Sequence, residues 1–185
     1  QNLGTLAGNI VTASPAGDGI PNLLALDAQV ELASRAGTRT LPFSTFATGY
    51  RQTALRPDEI VTALLVPKLD GARSIFLKLG ARKYLVISIA MVSAVVAADA
   101  EGQITKARIA VGACSAVAQR LTNLEAALAG CPLAAAASRV EAGHFAGLNP
   151  IDDVRATAAY RLAAAQALVR DALADLAATA SRRAA

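Results

Sequence analysis

Apolar and polar positions change rhythm along this chain. Up to about residue 112 the apolar residues come in short runs separated by Pro, Gly and Asp, whereas beyond residue 115 they recur every three or four positions among alanines. The first pattern is that of strands and turns, the second that of helices, so the chain reads as α+β with a strand-rich front and a helical end. Asn9 to Ala13 is β-prone, and Ser14-Pro-Ala-Gly-Asp18-Gly is a turn leading into the apolar segment Ile20 to Leu26. Val30 to Ser34 and Thr38 to Phe43 flank Arg35-Ala36-Gly37, which predicts a hairpin. Arg56-Pro57-Asp58 forms a turn before a strand over Ile60 to Val66, stopped by Pro67, and Ser74 to Leu79 is short and extended.

Ile87 to Ala97 and Ile104 to Gly112 predict an antiparallel pair joined by Asp99-Ala-Glu-Gly102. On its second strand Lys106 and Arg108 share one face, while Thr105, Ala107, Ile109 and Val111 share the other. Ser115 caps an expected helix over Ala116 to Ala129, ended by Gly130 and Pro132. A second helix is expected over Pro132 to Glu141 and a last one from about Asp152 to Ala180. On the last, Val154, Ala158, Leu162, Ala165, Val169, Leu173 and Leu176 form one apolar stripe.

Composition sharpens this picture. Of 185 residues 54% are hydrophobic, 45 are alanine and only 17% are charged, which excludes disorder and demands close packing of small side chains. The longest apolar run, Val86 to Ala98, is broken by Asp99 and is too short to span a bilayer, which takes about 18–20 residues. No basic segment with an apolar stretch opens the chain, so no signal peptide is expected. The net charge of +4 comes from scattered basic residues with few aromatics, which argues against nucleic acid as a partner. Two cysteines, Cys114 and Cys131, and one histidine, His144, supply neither a disulfide scaffold nor a metal site nor a histidine-based catalytic device. Both cysteines are expected to be small buried residues and His144, between glycines, a loop residue. Asp152 and Asp153 with Arg155 suit the start of a helix, and Tyr160-Arg161 suits contact with a neighbouring subunit.

The candidate chemistry lies at the front, in Leu3-Gly-Thr-Leu-Ala-Gly-Asn9-Ile-Val-Thr12-Ala-Ser-Pro-Ala-Gly-Asp18. Glycines at 4, 8 and 17 let main-chain N–H groups approach a ligand, and Asn9, Thr12, Ser14 and Asp18 add short polar groups. The spacing matches neither the dinucleotide fingerprint nor a Walker loop, and it is equally that of a polar connection.

Thr5 to Asp18 resembles the second flavin motif of the FAD subunit of molybdenum hydroxylases, the xanthine dehydrogenase and carbon monoxide dehydrogenase medium-subunit family. The likeness continues through Pro42 to Phe46, Gly49-Tyr-Arg51-Gln-Thr-Ala-Leu-Arg56-Pro57-Asp-Glu59-Ile60, Phe76-Leu-Lys78-Leu-Gly80-Ala-Arg82, Ile87-Ser88-Ile89 and Asp153-Val-Arg155-Ala-Thr-Ala-Ala-Tyr160-Arg161.

This resemblance implies a partial FAD-binding subdomain of mixed and antiparallel strands over residues 1–78. A C-terminal domain over 79–185, a small antiparallel sheet with a helical layer, would follow it. Thr5, Gly8 and Asn9 would bind the flavin diphosphate, and Thr12 and Asp18 the adenosine or ribityl portion. Ile60 and Val61 would line the adenine side, Lys78 would sit at the pyrimidine edge of the isoalloxazine, and Ile87 near the ring face. Tyr50 and Arg51 would lock a loop.

The resemblance implies no catalytic acid or base and no metal in this chain: FAD carries the chemistry. A cytoplasmic complex is implied, with a molybdopterin-binding large subunit and a [2Fe–2S] small subunit, and a pair of such heterotrimers is one assembly it allows. Electrons would pass from the clusters through FAD to NAD or another acceptor. NAD is left open because Lys83-Tyr84-Leu85-Val86 lacks the acidic pair that some members carry there. A family member usually has an earlier glycine-rich motif, absent here, so the chain is expected to be the C-terminal two-thirds of a longer subunit. Alone it should be inactive and bind FAD poorly, losing roughly 1 kcal/mol for each absent hydrogen bond. A docking module that holds no flavin, and a domain for some other nucleotide, are the competing readings.

Overall fold

The computed structural model describes residues 4–83 and 85–184, with side chains to 179. Leu3, at the head of the glycine stretch, and Tyr84 therefore lie outside the described residues. The front begins with two short helices, α1 (Leu6–Thr12) and α2 (Gly19–Ala25). Asn9 to Ala13 is thus helical and not extended. Local capping overrides its β-propensity: the Thr5 Oγ1 accepts from the Gly8 N–H at 2.9 Å, and Ala13 turns left-handed at φ 45° to close the helix.

Three strands follow as a sheet in the order β2-β1-β5: β1 (Gln29–Ser34), β2 (Gly37–Pro42) and β5 (Ile60–Leu65), all antiparallel. The expected hairpin forms, with Ser34 opposite Gly37, so its loop is the two residues Arg35-Ala36. The small pair β3 (Ala47–Gly49) and β4 (Gln52–Thr53) lies between β2 and β5 in sequence. Ile10 of α1, Ile20, Leu23 and Leu24 of α2, Val30, Leu32, Phe43 and Phe46 make the front core.

A carboxylate closes this unit. Glu59, nearly buried, accepts from Arg39 Nε at 2.6 Å and Nη2 at 2.8 Å, and from the Arg56 N–H at 2.8 Å. These donors, Arg39 foremost, hold its pKa down at about 2. Because the folded pKa is depressed, the stabilisation is complete above the ordinary carboxyl value and disappears as pH falls through about 2. The difference in urea midpoint between wild type and Glu59→Gln should therefore be largest at neutral pH and shrink between about pH 4.5 and pH 2. A constant difference over that range would contradict it.

The second sheet has the order β6-β7-β8-β9: β6 (Arg73–Leu79), β7 (Ala90–Ala98), β8 (Ile104–Gly112) and β9 (Gln119–Arg120). Residue 78 falls within β6, whose partner is β7. Gly102, at φ 79°, supplies the left-handed residue that the β7–β8 turn needs, and Asp99 Oδ1 accepts from the Gln103 N–H at 2.7 Å. After β8 the helix expected over Ala116 to Ala129 is interrupted. Gln119 and Arg120 pair with Val111 and Ala110, and only α3 (Thr122–Leu128) is helical. Ser115 does not cap: its Oγ donates to the Cys114 carbonyl and accepts from the Asn149 N–H.

Pro132 to Glu141 forms a 3-10 segment, Leu133–Arg139, and not an α-helix. The last helix, α4 (Ala158–Ala184), starts six residues later than expected. Asp152 Oδ1 accepts from the Ala158 N–H at 2.5 Å, and so serves the helix start from outside it. Ala165, Val169, Ala172, Leu173 and Leu176 of α4 pack on one face of the second sheet with Leu124, Leu128 and Ile109, whereas Val154 is fully exposed.

The opposite face of β7 and β8 carries Val95 and Ala110 and belongs to the front core. Arg108, on that same face, is buried, with Nε 2.8 Å from Asp27 Oδ2. Asp27 also receives Arg120, which reaches Glu125 and the Leu24 carbonyl, so charges as well as side chains join the two parts. Among the described residues no helix is long and apolar enough to cross a membrane.

Candidate functional site

The turn Ser14–Asp18 is the meeting point of the molecule. Its Pro15 carbonyl accepts from the Ala113 N–H at 2.9 Å, just past β8. Asn9 Oδ1 accepts from the Gly19 N–H at 3.0 Å and binds α1 to the start of α2; a Cβ on Gly19 would come within 2.8 Å of that oxygen. Asp18 reaches two distant segments. Lys78 Nζ donates to its Oδ2 at 2.6 Å, and Ser88 Oγ donates to its Oδ1 at 2.9 Å. The connection carrying Ser88 is itself closed by the Ile89 N–H donating to the Leu79 carbonyl at 2.8 Å.

The nine expected site residues fall into three groups. Gly8, Asn9 and Thr12 lie on α1 and Thr5 caps it, with Thr12 Oγ1 donating to the Gly8 carbonyl at 2.8 Å. Asp18 and Lys78 are joined directly, and Ile87, half exposed, adjoins Ser88. Ile60 and Val61 sit on β5 and point oppositely: Ile60 is exposed, while Val61 packs against the front core.

Beside this turn opens a cavity of about 500 Å³, lined by Ser14, Tyr50, Ile87, Ser88, Asn149 and Arg161 among others. Arg161 is 3% exposed. It donates through Nη1 to the carbonyls of Ile89 (2.6 Å) and Ala113 (3.2 Å), and through Nη2 to Asp153 Oδ1 at 2.7 Å. Asp153 is held well below the usual carboxylate range, first by the Arg155 N–H and then by the guanidinium groups of Arg161 and Arg155. Arg161 therefore clamps β7 to the end of β8 from within. Cys114 lies beneath it, Sγ donating to the Arg161 carbonyl, and burial pushes its thiol up to about 11, as an inert small residue requires. No cluster able to hold a metal ion occurs among the described residues.

Ser88 and Arg161 lie in the family motifs, but their roles escape pattern reading: Arg161, expected to contact a neighbouring subunit, is instead buried within this chain's own fold. Ser88 sits in an apolar run whose serines look like interruptions, and only the depth of its burial (1% exposed) gives it away.

The groups on this side of the turn are compatible with an anionic, hydroxyl-bearing ligand. The first turn of α1 carries no acidic side chain, and Thr5, whose oxygen accepts from the Gly8 N–H, keeps its O–H to donate. Lys78 adds a cation.

Comparison with known proteins gives the family. Residues 1–69 match the family described as the FAD binding domain in molybdopterin dehydrogenase, and residues 75–176 the CO dehydrogenase flavoprotein C-terminal domain. The chain is 37% identical to the nicotinate dehydrogenase FAD-subunit of Eubacterium barkeri, over 72% of this chain and 46% of the relative. It is 34% identical to the nicotine 6-hydroxylase medium subunit of Paenarthrobacter nicotinovorans, over 92% of this chain and 59% of the relative. A chain of carbon monoxide dehydrogenase from Hydrogenophaga pseudoflava superposes with a TM-score of 0.81 at 29% identity, covering 92% of this chain and 59% of that one. One from Oligotropha carboxidovorans gives 0.85 at 25% identity, covering 95% and 62%. The chain thus spans about half to three-fifths of the length of these relatives. With both of its halves matched in order, this chain belongs to the FAD-binding subunits of the molybdenum hydroxylase family.

Proposed function

We propose that this chain is the part of a molybdenum hydroxylase flavoprotein subunit that grips one side of FAD and relays electrons through it. The observation that carries this reading is the convergence at Asp18, where the turn after α1 meets Lys78 and the segment of Ile87. Those are the residues that family likeness assigns to the sugar, the pyrimidine edge and the ring face. When bound, FAD supplies the redox chemistry, accepting electrons from [2Fe–2S] clusters and passing them to NAD or another acceptor.

The chain's own groups bind and orient. Thr5, Gly8, Asn9 and Thr12 serve the diphosphate side through α1, and Lys78 places positive charge where a reduced flavin gains negative charge. Ile60, the exposed member of its pair on β5, serves the adenine side while Val61 backs it from the front core, and the cavity beside Ile87 gives an acceptor access to the ring. A molybdopterin-binding large subunit and a [2Fe–2S] small subunit are the partners in this reading, in the cytoplasm. The front part then ends in the connection between β5 and β6, since β6 pairs with β7.

The natural longer subunit, mixed with FAD and freed of excess, should be yellow, with absorbance near 450 nm and one flavin per chain. Gly8→Val should lose it, because even a Cβ there comes within 3.1 Å of Thr5 Oγ1. A dissociation constant raised at least about tenfold, or about 1.4 kcal/mol, is expected. A colourless subunit, or a variant that binds as well, defeats the reading.

The docking alternative draws on Ile87 and Ile151, exposed apolar residues that line the cavity, and on Leu85 and Val154, two further exposed apolar residues. It predicts assembly with the partner subunits but no flavin.

A further inference from the structure

Both carboxylate oxygens of Asp18 are taken by side chains of this chain: Oδ2 by Lys78 at 2.6 Å and Oδ1 by Ser88 at 2.9 Å. The residue is fixed from its own side as well. Asn22 Nδ2 donates to the Asp18 carbonyl at 2.8 Å, and the next N–H, of Gly19, is held by Asn9. Ser88 is almost fully buried, so its hydroxyl is not a solvated group that happens to lie nearby. Each carboxylate oxygen still has a lone pair and the side chain is 44% exposed, so these bonds leave room for a sugar hydroxyl while tying the carboxylate to the ammonium.

We infer that Asp18, besides any bond to the sugar, is a positioning residue that acts through Lys78, with Ser88 anchoring it, and that the pair sets the reduction potential of the flavin. This rests on the flavin reading above. An ammonium beside the pyrimidine edge favours the reduced, more negative flavin and raises the potential, while a carboxylate 2.6 Å from that ammonium offsets part of its field. Lys78 is three-quarters buried, so solvent screens the pair only in part. Asp18 then trims the charge that Lys78 presents, and Ser88 keeps the carboxylate on the ammonium.

The test is a double-mutant cycle on the FAD-loaded natural subunit, with the flavin midpoint potential measured by spectroelectrochemical titration and the affinity for oxidised FAD measured separately. Asp18→Asn, which keeps the shape, should favour reduced over oxidised flavin by about tenfold, a rise of about 30 mV for a two-electron couple. Any affinity for oxidised FAD that it loses through a sugar contact should be the same with and without Lys78. Lys78→Met should lower the potential, and in that background Asp18→Asn should shift it little. Ser88→Ala retains the carboxylate but frees it, and should move the potential in the same direction as Asp18→Asn by less; it also stands in if Asp18→Asn folds poorly.

An Asp18→Asn shift that is equal with and without Lys78, or a large loss of FAD affinity with the potential unmoved, overturns the inference. So does an unchanged potential in both Asp18→Asn and Ser88→Ala. If wild-type subunit takes up no FAD at all, the flavin reading itself has failed, an outcome visible before any variant is made.

Discussion

Phe46→Ala should lower the unfolding free energy by about 3–5 kcal/mol, the range for removing a fully buried aromatic ring. Phe46 has no exposed surface, and its ring centroid lies 6.0 Å from that of Phe43. Among the described residues these two are the bulkiest fully buried side chains, and they stand in a core otherwise made of Ile, Leu, Val and Ala. Small neighbours anchored in helices and strands cannot swing in to fill the space, so the cavity term adds to the lost transfer energy. Urea denaturation followed by circular dichroism measures it. Total stabilities of about 5–15 kcal/mol make such a loss a large fraction of the whole. Because Ile10 of α1 packs into the same core, the variant should also weaken flavin binding in the natural subunit. A change below about 1 kcal/mol would mean that the front core is not packed as described.

Arg161→Met is expected to cost about 2–4 kcal/mol in the same measurement. Two effects compete. Removing a buried guanidinium relieves the cost of keeping it from water, which on its own favours the variant. Against that, the carbonyls of Ile89 and Ala113, both buried, lose their donor, and each unsatisfied group costs about 1–3 kcal/mol. Two orphaned carbonyls outweigh the relief, because methionine fills the stem volume but offers no N–H. Asp153→Ala acts in the opposite sense, leaving the cation in place without its counter-ion, and should destabilise too. If Arg161→Met were neutral, the residue would be space-filling and not the clamp between β7 and β8.

The two hairpins, the turn at Ser14–Asp18 and the long apolar stripe of the last helix are all visible in the sequence, because each depends on contacts a few residues apart. Where the pattern misleads, a longer-range or capping term decides. Asn9-Ile-Val-Thr12 favours a strand by residue type, yet the Thr5 cap and the burial of Ile10 make it helical. Ala116 to Ala118 favours a helix, yet Gln119 and Arg120 find open hydrogen-bonding positions on β8. The family motifs named Asp18 and Lys78 but not their bond, since residues 60 apart carry no spacing signal. Ser88 and Arg161 were illegible in their roles for the same reason: burial of a polar side chain is a property of the folded surroundings, not of its neighbours in the chain.

Strands β7 and β8 form a party wall, with the α4 layer on one side and the front core on the other. Their inward positions on both sides are alanine, valine and serine for the most part, which lets two layers come close to a single sheet. Evolutionary drift in these strands is therefore hemmed in twice: enlarging Val95 or Ala110 crowds the flavin-bearing half, and enlarging Ala94 or Val96 lifts the long helix. Neighbouring positions cannot trade volume with one another, so variation in this lineage should collect on the outer rim of the molecule while the partition stays small.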